Sequence, residues 1–485
     1  MKFPILSVIV FTPLLGSVLV LLFKPRQERL MKQVGLLATI IPLILSIIVL
    51  IQFRPGAGLQ FVEKFAWSKT IGASYYLGVD GIGLPVFFIS ALLSFIAYLA
   101  SWNTTLRPKG YFSLLLLLEV GMLGVFVALD FVLFYIFWEL VLLPMYFLIG
   151  IWGGERREYA AIKFFPYTLA GSVFMLLGIL ALYFKAGAHT FDMIAMTKQT
   201  FPFAFQQLVF WGFFLGFAVK VPIFPFHTWL PDAHVEAPTA VSVLLAGVLL
   251  KMGAYGFLRI LLPILPASAR YYATFLAVLG VINILYGALN AMVQSDLKKM
   301  VAYSSVSHMG YVMLGIASLT AIGMNGALIQ MFSHAMITGM LFLLVGYIYE
   351  RTHTRQIAEL GGLLNKIPLL AGILSFAAFA SLGLPGLSGF VAEFLVLVGA
   401  FLTKRIWATI GATGVIITAG YLLWMLQRVV MGTLPEKYSN LLDVNKRELF
   451  TLVPLMAGIL IIGLYPESIL YFINNSIVAL TGMVK

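Results

Sequence analysis

Apolar residues dominate this chain in long runs that short polar segments separate. About fourteen runs are long enough to cross a bilayer, which takes about twenty apolar residues in a helix. The predicted spans, numbered one to fourteen, cover 4–23, 33–53, 80–101, 111–129, 131–150, 163–184, 205–229, 238–262, 271–293, 300–318, 321–349, 367–403, 406–427 and 449–473. The pattern therefore predicts an all-α polytopic membrane protein.

Composition supports a membrane location. Of the 485 residues, 61% are hydrophobic and 10% are charged, and a soluble domain could not bury that much apolar surface. Span one is followed by Lys24, Arg26, Arg29 and Lys32 instead of a small-residue cleavage site, so we interpret it as a retained span and not as a signal peptide. The formal net charge is +12, but the basic residues lie mostly in loops, so we expect no nucleic-acid partner.

The basic residues also predict an orientation. One set of alternate loops holds about 17 Lys and Arg residues and the other about 11, and the richer side is expected to be cytoplasmic. The richer loops are 24–32, 107–109, 156–157, 298–299, 351–366 and 428–447. Both termini then lie outside, as does the loop 54–79. Its glycines and the alternating stretch LQFVEKFAW predict a small β-hairpin on the outer face.

The chain contains no cysteine. This excludes disulfides, thiolate-bound iron–sulfur clusters and thiol nucleophiles. The sequence also has no GxGxxG after a strand and no Walker loop. We therefore expect no cofactor and no metal in this chain, and its energy must come from an ion gradient or from a partner.

Proline interrupts span seven beside a lysine, in the stretch GFAVKVPIFPFHTWLP. Pro222 and Pro225 have no N–H to donate to the carbonyls four residues earlier, those of Ala218 and Val221. We therefore expect unpaired acceptors on either side of Lys220. Such unwound backbone is tolerated at bilayer depth only where it is buried in protein or lines a wet cavity.

Span twelve is interrupted in a related way, because Pro385 lies among three glycines and frees the carbonyl of Ser381. Spans seven and twelve are five apart, and five is odd. A five-helix unit repeated once, as spans 4–8 and 9–13, would place the second copy upside down. The predicted division is 1–110 for three helices and the outer loop, 111–262 and 271–429 for the inverted repeats, and 430–485 for a C-terminal helix.

Ionisable residues inside the spans are the main functional signal. They are Glu119, Glu139, Lys220, Lys251, His308, His334 and Glu393, with Lys163 near a span end. Each costs a few kcal/mol at the membrane centre, so such a set favours an ion or proton pathway. For a single member a structural role is the alternative: His308 could be a satisfied core histidine, and Lys163 a lysine that extends to the interface.

Polar side chains at helical spacing support the pathway. Spans nine, ten and eleven carry the stripes Asn283, Tyr286, Asn290 and Gln294; Ser304, His308 and Tyr311; and Gln330, His334 and Thr338. The alternative is that these stripes only join helices to each other.

A carboxylate can switch a desolvated lysine between holding and releasing a proton. Glu139 is the best partner for Lys220, because it lies mid-span five residues before Pro144. Lys251 and His308 are candidate intermediates towards an exit at Glu393, since imidazole exchanges protons near neutral pH.

Five stretches carry a resemblance to a known family. They are FVLFYIFWELVLLPMYFLIG, VKVPIFPFHTWLPDAHVEAPTAVSVLLAGVLLKMGAYG, DLKKMVAYSSVSHMGY, MFSHAM and GLPGLSGFVAEF. They resemble the M-type antiporter-like membrane subunits of respiratory complex I, the proton-translocating NADH:quinone oxidoreductase. The resemblance covers nearly the whole chain from about residue 75 and implies fourteen spans, two inverted repeats and broken seventh and twelfth helices.

The resemblance also implies roles for individual residues. The matched relay residues are Glu139, Lys220, Lys251, His308 and Glu393; His334 also matches, and it is a secondary candidate with Glu119 and Lys163. Glu393 favours the M-type, because L-type and N-type subunits and cation/proton antiporter subunits usually have lysine there. The long lateral helix of the L-type is also missing, since the chain ends about a dozen residues after span fourteen.

The implied function is proton movement driven by quinone reduction in partner subunits of a bacterial inner-membrane complex. Flavin, iron–sulfur clusters and quinone are expected in those partners, and the L-type and N-type subunits are the expected neighbours in the lipid bilayer. The chain alone is not expected to be catalytic. Two alternatives stay open: a subunit of a cation/proton antiporter or of a membrane-bound hydrogenase, and a non-conducting scaffold.

Overall fold

The computed structural model describes residues 3–187 and 189–484. Within them, 12 helices are long and apolar enough to cross a membrane. They are Ile5–Leu22, Glu28–Gln52, Gly83–Ala100, Pro108–Val127, Phe131–Trp152, Arg157–Lys185, Phe203–Lys220, Thr239–Ile264, Pro266–Met292, Ala321–Thr352, Arg405–Val429 and Lys446–Leu464. These helices are spans one to nine, eleven, thirteen and fourteen.

The two remaining spans are also present. Span ten is the helix Leu297–Ala317, and span twelve consists of the two shorter helices Pro368–Ser381 and Ser388–Thr403. The break in span twelve occurs where the sequence predicts it. Gly383 and Gly386 flank Pro385 there with φ of 83° and 91°, values that glycine adopts at little cost. The predicted architecture of about fourteen helices is confirmed, while the inverted relation of the repeats and the domain boundaries stay predictions.

The C-terminal region differs from the prediction. Span fourteen ends at Leu464 and not near 473, and a separate helix, Glu467–Val484, follows it. This C-terminal helix is amphipathic: Ile469, Ile473 and Ile477 lie on its buried face. The sequence pattern does not show this boundary, because the apolar run continues past Pro466. A new helix begins directly after this proline.

The predicted hairpin is confirmed, with β1 (Gln60–Ser68) antiparallel to β2 (Ala73–Val79). Its Glu63 carboxylate accepts the backbone N–H of Leu6 at 2.8 Å and so caps span one. Lys64 forms an ion pair with Asp192 at 2.6 Å, and this hydrogen bond raises the pKa of Lys64. These contacts fix the hairpin to one end of the bundle, called here the hairpin end.

Two spans are interrupted in ways that the sequence does not reveal. Span five consists of Phe131–Leu140 and Leu142–Trp152, so its helix is interrupted at Val141, two residues after Glu139. Span eight contains two π-helical segments, Leu245–Leu249 and Phe257–Leu261, one on each side of Lys251. Such wide turns occur frequently at functional sites.

Spans eight and eleven form the centre of the bundle. In their most apolar windows, 100% and 94% of the residues are buried, against 33% in spans two, thirteen and fourteen. The outer spans leave apolar side chains exposed at the surface of the chain, whereas the windows of the central spans are almost entirely buried. Polar side chains on the central spans therefore need partners within the protein.

Candidate ion-relay site

Lys251 lies at the centre of span eight, where the side chain is buried. Its Nζ lies 2.7 Å from Nδ1 of His334 and donates to the carbonyl of Ala246. His334 comes from span eleven, so this contact joins the two central spans. The structure thus brings His334, a secondary candidate in the sequence, into direct contact with a primary one.

A second pair lies beside the same polar face of span eleven and is formed by spans ten and twelve. His308 Nδ1 is 2.8 Å from Glu393 Oε1, and His308 Nε2 is 3.1 Å from the Ser381 hydroxyl. The Gln330 amide also donates to Glu393 Oε1 at 3.2 Å. Ser381 ends the first half of span twelve and Glu393 lies in the second half, so the break in this span brings both side chains to His308.

The two pairs meet at a small polar cavity. The rings of His308 and His334 are 5.7 Å apart, and both line a cavity of about 10 Å³ together with Gln330, Thr338 and Glu393. His334 Nε2, Gln330 Oε1 and Thr338 Oγ1 have no hydrogen-bond partner in the described ranges. A site for one water needs at least about 10–15 Å³ and two or more polar partners, so this cavity can take a single water that joins the pairs.

Lys220 has different surroundings. It is the last residue of the helix Phe203–Lys220, and its Nζ lies 5.6 Å from the Trp138 ring and 5.8 Å from the Phe164 ring. Neither this Nζ nor Glu139 Oε1 has a hydrogen-bond partner within residues 3–187 and 189–484. Glu139 follows Trp138 in the chain and so lies in the same region. The predicted pair therefore interacts through space at longer range and not through a direct bond.

The backbone at the break of span seven corrects one prediction. The carbonyl of Ala218 is not unpaired, because it accepts the N–H of Ile223 at 2.8 Å. The Val219 carbonyl also has a partner, the Trp229 indole N–H at 3.0 Å. The chain turns after Pro222, and the next available N–H groups replace those that the prolines lack.

Asn283 holds this break from the other half of the protein. Its Oδ1 accepts the N–H of Phe224 at 2.7 Å, and its Nδ2 donates to the carbonyl of Pro222 at 2.9 Å. Asn283 lies in span nine and is buried. The sequence places it on a polar stripe but assigns it no role, because only the tertiary structure brings span nine against the break.

Replacing Asn283 with leucine is expected to destabilise the protein by about 1–3 kcal/mol for each polar group left unpaired. The Phe224 N–H and the Pro222 carbonyl would lose their partner. The measurement is the midpoint of thermal unfolding of the purified complex. The matched control is Asn290→Leu, because Asn290 Nδ2 donates only within its own helix, to the Tyr286 carbonyl at 2.8 Å. A loss of equal size in both variants would contradict a special role for Asn283.

The remaining candidates do not join the two pairs. Lys163 forms an ion pair with Asp232 at 2.7 Å near the surface, which fits a lysine at a span end. Glu119 is buried, and its Oε1 has no hydrogen-bond partner in the described part of the chain. No cluster of three or more potential metal ligands occurs among the described residues.

Sequence reasoning missed His234. This side chain is fully buried and stacks on Phe342 with ring centroids 4.5 Å apart, and neither ring nitrogen has a hydrogen-bond partner in the described ranges. The pattern assigned its segment to a loop between spans seven and eight. The structure instead forms a short helix, Trp229–Glu236, inside the protein. The only available signal was the second histidine in HTWLPDAH.

The broken spans and the buried ionisable pairs define a class: polytopic membrane proteins with interrupted helices at buried polar sites, a feature that secondary transporters also have. Residues 128–418 match the family model described as "NADH:quinone oxidoreductase/Mrp antiporter, TM". The chain belongs to this family of antiporter-like membrane subunits.

Individual relatives agree with this assignment. The chain is 45% identical to NADH-quinone oxidoreductase subunit M of Rhodobacter capsulatus, over 98% of this chain and 95% of the relative. It superposes on a chain of respiratory complex I from Thermus thermophilus with a TM-score of 0.91 and 30% identity, covering 100% of both chains. A chain of the Mrp complex from Dietzia sp. has the same fold, with a TM-score of 0.85, 20% identity and 100% coverage of both chains. The predicted resemblance to M-type subunits is confirmed.

Proposed function

We propose that this chain is the proton-translocating membrane subunit of an NADH:quinone oxidoreductase. The observation that carries the proposal is the buried row of the Lys251–His334 and His308–Glu393 contacts around one polar cavity. Buried ionisable groups in a membrane are costly and are kept where ions or protons move. The names of the related subunits support NADH and quinone as the source of energy.

The contacts suggest the order of proton transfer in this row. A proton on Lys251 can pass to His334 Nδ1 along the 2.7 Å contact. The imidazole can then release a proton from its other nitrogen, which has no hydrogen-bond partner among the described residues and lies at the small cavity. From there the proton can reach His308 or Glu393, because both line the same cavity.

Lys220 and Glu139 supply the switch at the start of the row. No hydrogen bond in the described ranges connects Lys220 Nζ to another group, so transfer to Lys251 needs water or movement of a side chain. Gly253 of span eight packs against span seven, where an added Cβ would come within 2.7 Å of the Phe217 carbonyl and of Val221. This close packing favours control by charge: adding or removing a proton at Lys220 changes the potential at Lys251.

The redox chemistry is assigned to partner subunits. This chain has no cysteine to hold an iron–sulfur cluster. We infer L-type and N-type neighbours that contain related relays, other partners that carry flavin, clusters and quinone, and a location in a bacterial inner membrane. The fold does not separate this function from cation/proton antiport, since the Mrp chain shares it. Purification of the intact complex separates them: flavin and iron–sulfur clusters are expected, and their absence would favour antiport.

Replacing Glu393 with glutamine is expected to lower proton translocation about tenfold, because the variant keeps the size of the side chain but cannot take a proton from His308. Glu393→Lys should retain part of the activity, since it gives this span the residue typical of related subunits. The measurements are quinone-linked NADH oxidation and proton uptake in membrane vesicles. NADH oxidation with an artificial acceptor controls for assembly. Normal proton translocation in Glu393→Gln, with an unchanged proton-to-electron ratio, would remove Glu393 from the relay.

A further inference from the structure

Polar groups on span eight continue from the relay towards the hairpin end. Lys251, Tyr255 and Arg259 follow one another at i, i+4 and i+8, so they lie on one helix face. Tyr255 is fully buried and donates to the carbonyl of Phe126 at 3.1 Å. The Arg259 Nε donates to the Tyr255 hydroxyl at 3.1 Å. One face of a central span therefore connects Lys251 with a buried arginine.

Arg259 is held by an ion pair with Asp80. Its Nη2 contacts Asp80 Oδ1, and this oxygen also accepts the backbone N–H of Ile82 at 3.0 Å and of Gly83 at 3.1 Å. Arg259 and Asp80 are each only 8% exposed. The pair thus fixes the start of span three against span eight. Breaking the ion pair would leave a buried charge without a partner, which is costly. The paired arrangement of Arg259 and Asp80 is therefore strongly favoured.

A cavity reaches this ion pair from the hairpin end. It has a volume of about 310 Å³ and lies between the loop that precedes β1 and the C-terminal helix. Asp80 and Arg259 line it together with the polar side chains of Thr197, Asn475 and Ser476. Such a volume has room for several waters. Water from the hairpin end can therefore reach Arg259, whereas Tyr255 behind it is buried.

A guanidinium at this position opposes the passage of protons. Arginine keeps its proton in proteins, so it cannot relay one. Asp80 balances its charge, but the guanidinium is the member of the pair that bonds Tyr255, so the positive end of the pair faces the relay and opposes protons and other cations there. Without that charge, the water in the cavity would be separated from Lys251 by about two turns of span eight, with the Tyr255 side chain between them.

We propose that Arg259, positioned by Asp80 and Tyr255, is a fixed cationic barrier that closes the relay at Lys251 against the cavity at the hairpin end. The inference rests on the proposed proton relay and adds a residue that keeps the relay closed on one side. The loop charges predict that the hairpin end lies outside. The barrier then prevents protons that have been moved outward from returning through span eight.

The test is the decay of an imposed pH gradient across proteoliposomes that contain the purified complex, followed with a pH-sensitive dye in the absence of NADH. Arg259→Gln is expected to speed the decay for each complex about tenfold. The double variant Asp80→Asn with Arg259→Gln removes both charges and leaves no unpaired ion, so it tests the same barrier if the single variant fails to assemble.

Two further variants decide what a faster decay means. Arg351→Gln is the matched control, because it removes an arginine from the buried ion pair with Glu448, away from this cavity; its decay should equal that of the wild type. Adding Lys251→Met to Arg259→Gln should restore the slow decay. Wild-type decay in the assembled Arg259→Gln or double variant overturns the barrier, as does an equal leak in Arg351→Gln or a leak that persists without Lys251.

The same variants distinguish a failure of the proposed barrier from a failure of the proposed relay. Lys251→Met alone is measured for NADH-driven pumping, which does not depend on whether Arg259 closes anything. Normal pumping in that variant would contradict the relay. Lost pumping in that variant, together with wild-type decay in Arg259→Gln, would contradict only the barrier.

Discussion

Replacing Lys251 with methionine is expected to lower coupled proton translocation about a hundredfold, the size of effect typical of a lost proton-transfer group. Methionine fills a similar volume but cannot contact His334 Nδ1 as a proton carrier. Lys251→Arg is expected to fail as well, although it keeps the positive charge, because a guanidinium does not release its proton. The measurements are proton uptake in vesicles and quinone-linked NADH oxidation.

The Lys251→Arg variant distinguishes a lysine that carries a proton from one that supplies only a positive charge. If Lys251 supplied only a charge, Lys251→Arg would pump normally, and the transfer route through His334 would be wrong. The control is Lys404→Met, which removes a lysine whose Nζ contacts the Thr274 hydroxyl at 2.7 Å outside the relay. That variant should pump as the wild type does. NADH oxidation with an artificial acceptor checks that the complex assembles in each case.

Replacing Glu139 with alanine is expected to suppress both pumping and NADH:quinone turnover about tenfold, although the chain carries no redox centre. The carboxylate favours the charged form of Lys220 through space, and without it the lysine cannot alternate between its two states. Glu139→Asp keeps the charge and should preserve part of the activity. The paired measurement is NADH oxidation with quinone and proton uptake in the same vesicles.

Equal losses in the alanine and aspartate variants would indicate a packing defect beside the Leu140–Leu142 interruption of span five. Full activity in Glu139→Ala, together with full activity in Lys220→Ala, would mean that the lysine is structural. The chain would then be a scaffold between pumping neighbours. Because Lys220 and Glu139 make no direct bond, the aspartate variant also tests whether their interaction acts at longer range.

The break in span seven links the two halves of the protein. Lys220 ends a helix of the first half, whereas the backbone after it is held by Asn283 of span nine. The Ser307 hydroxyl of span ten donates to the Ile284 carbonyl at 2.8 Å, and His308 is the next residue. A shift of the broken segment can therefore be transmitted to the helix that carries the second half of the relay.

The sequence by itself determined the features that follow from the free-energy cost of placing each residue of a span in a bilayer. Apolar runs predict the spans because each span must bury about twenty residues in lipid or protein. Prolines predict the breaks near Lys220 and Pro385, since a missing N–H interrupts a helix wherever it occurs. The same reasoning found most of the ionisable residues inside the spans, because each is costly within its own span, but it missed His234 and Arg259.

Only the tertiary structure decided which of these residues meet. Lys251 and His334 are 83 positions apart, His308 and Glu393 are 85 apart, and Asp80 and Arg259 are 179 apart. A single sequence contains no signal for such pairings, since it does not show which buried polar side chains become neighbours in the folded protein. The packing of whole helices also supplied the Asn283 contacts, the burial of His234 and the partner of the Ala218 carbonyl, because those depend on which neighbour fills each gap.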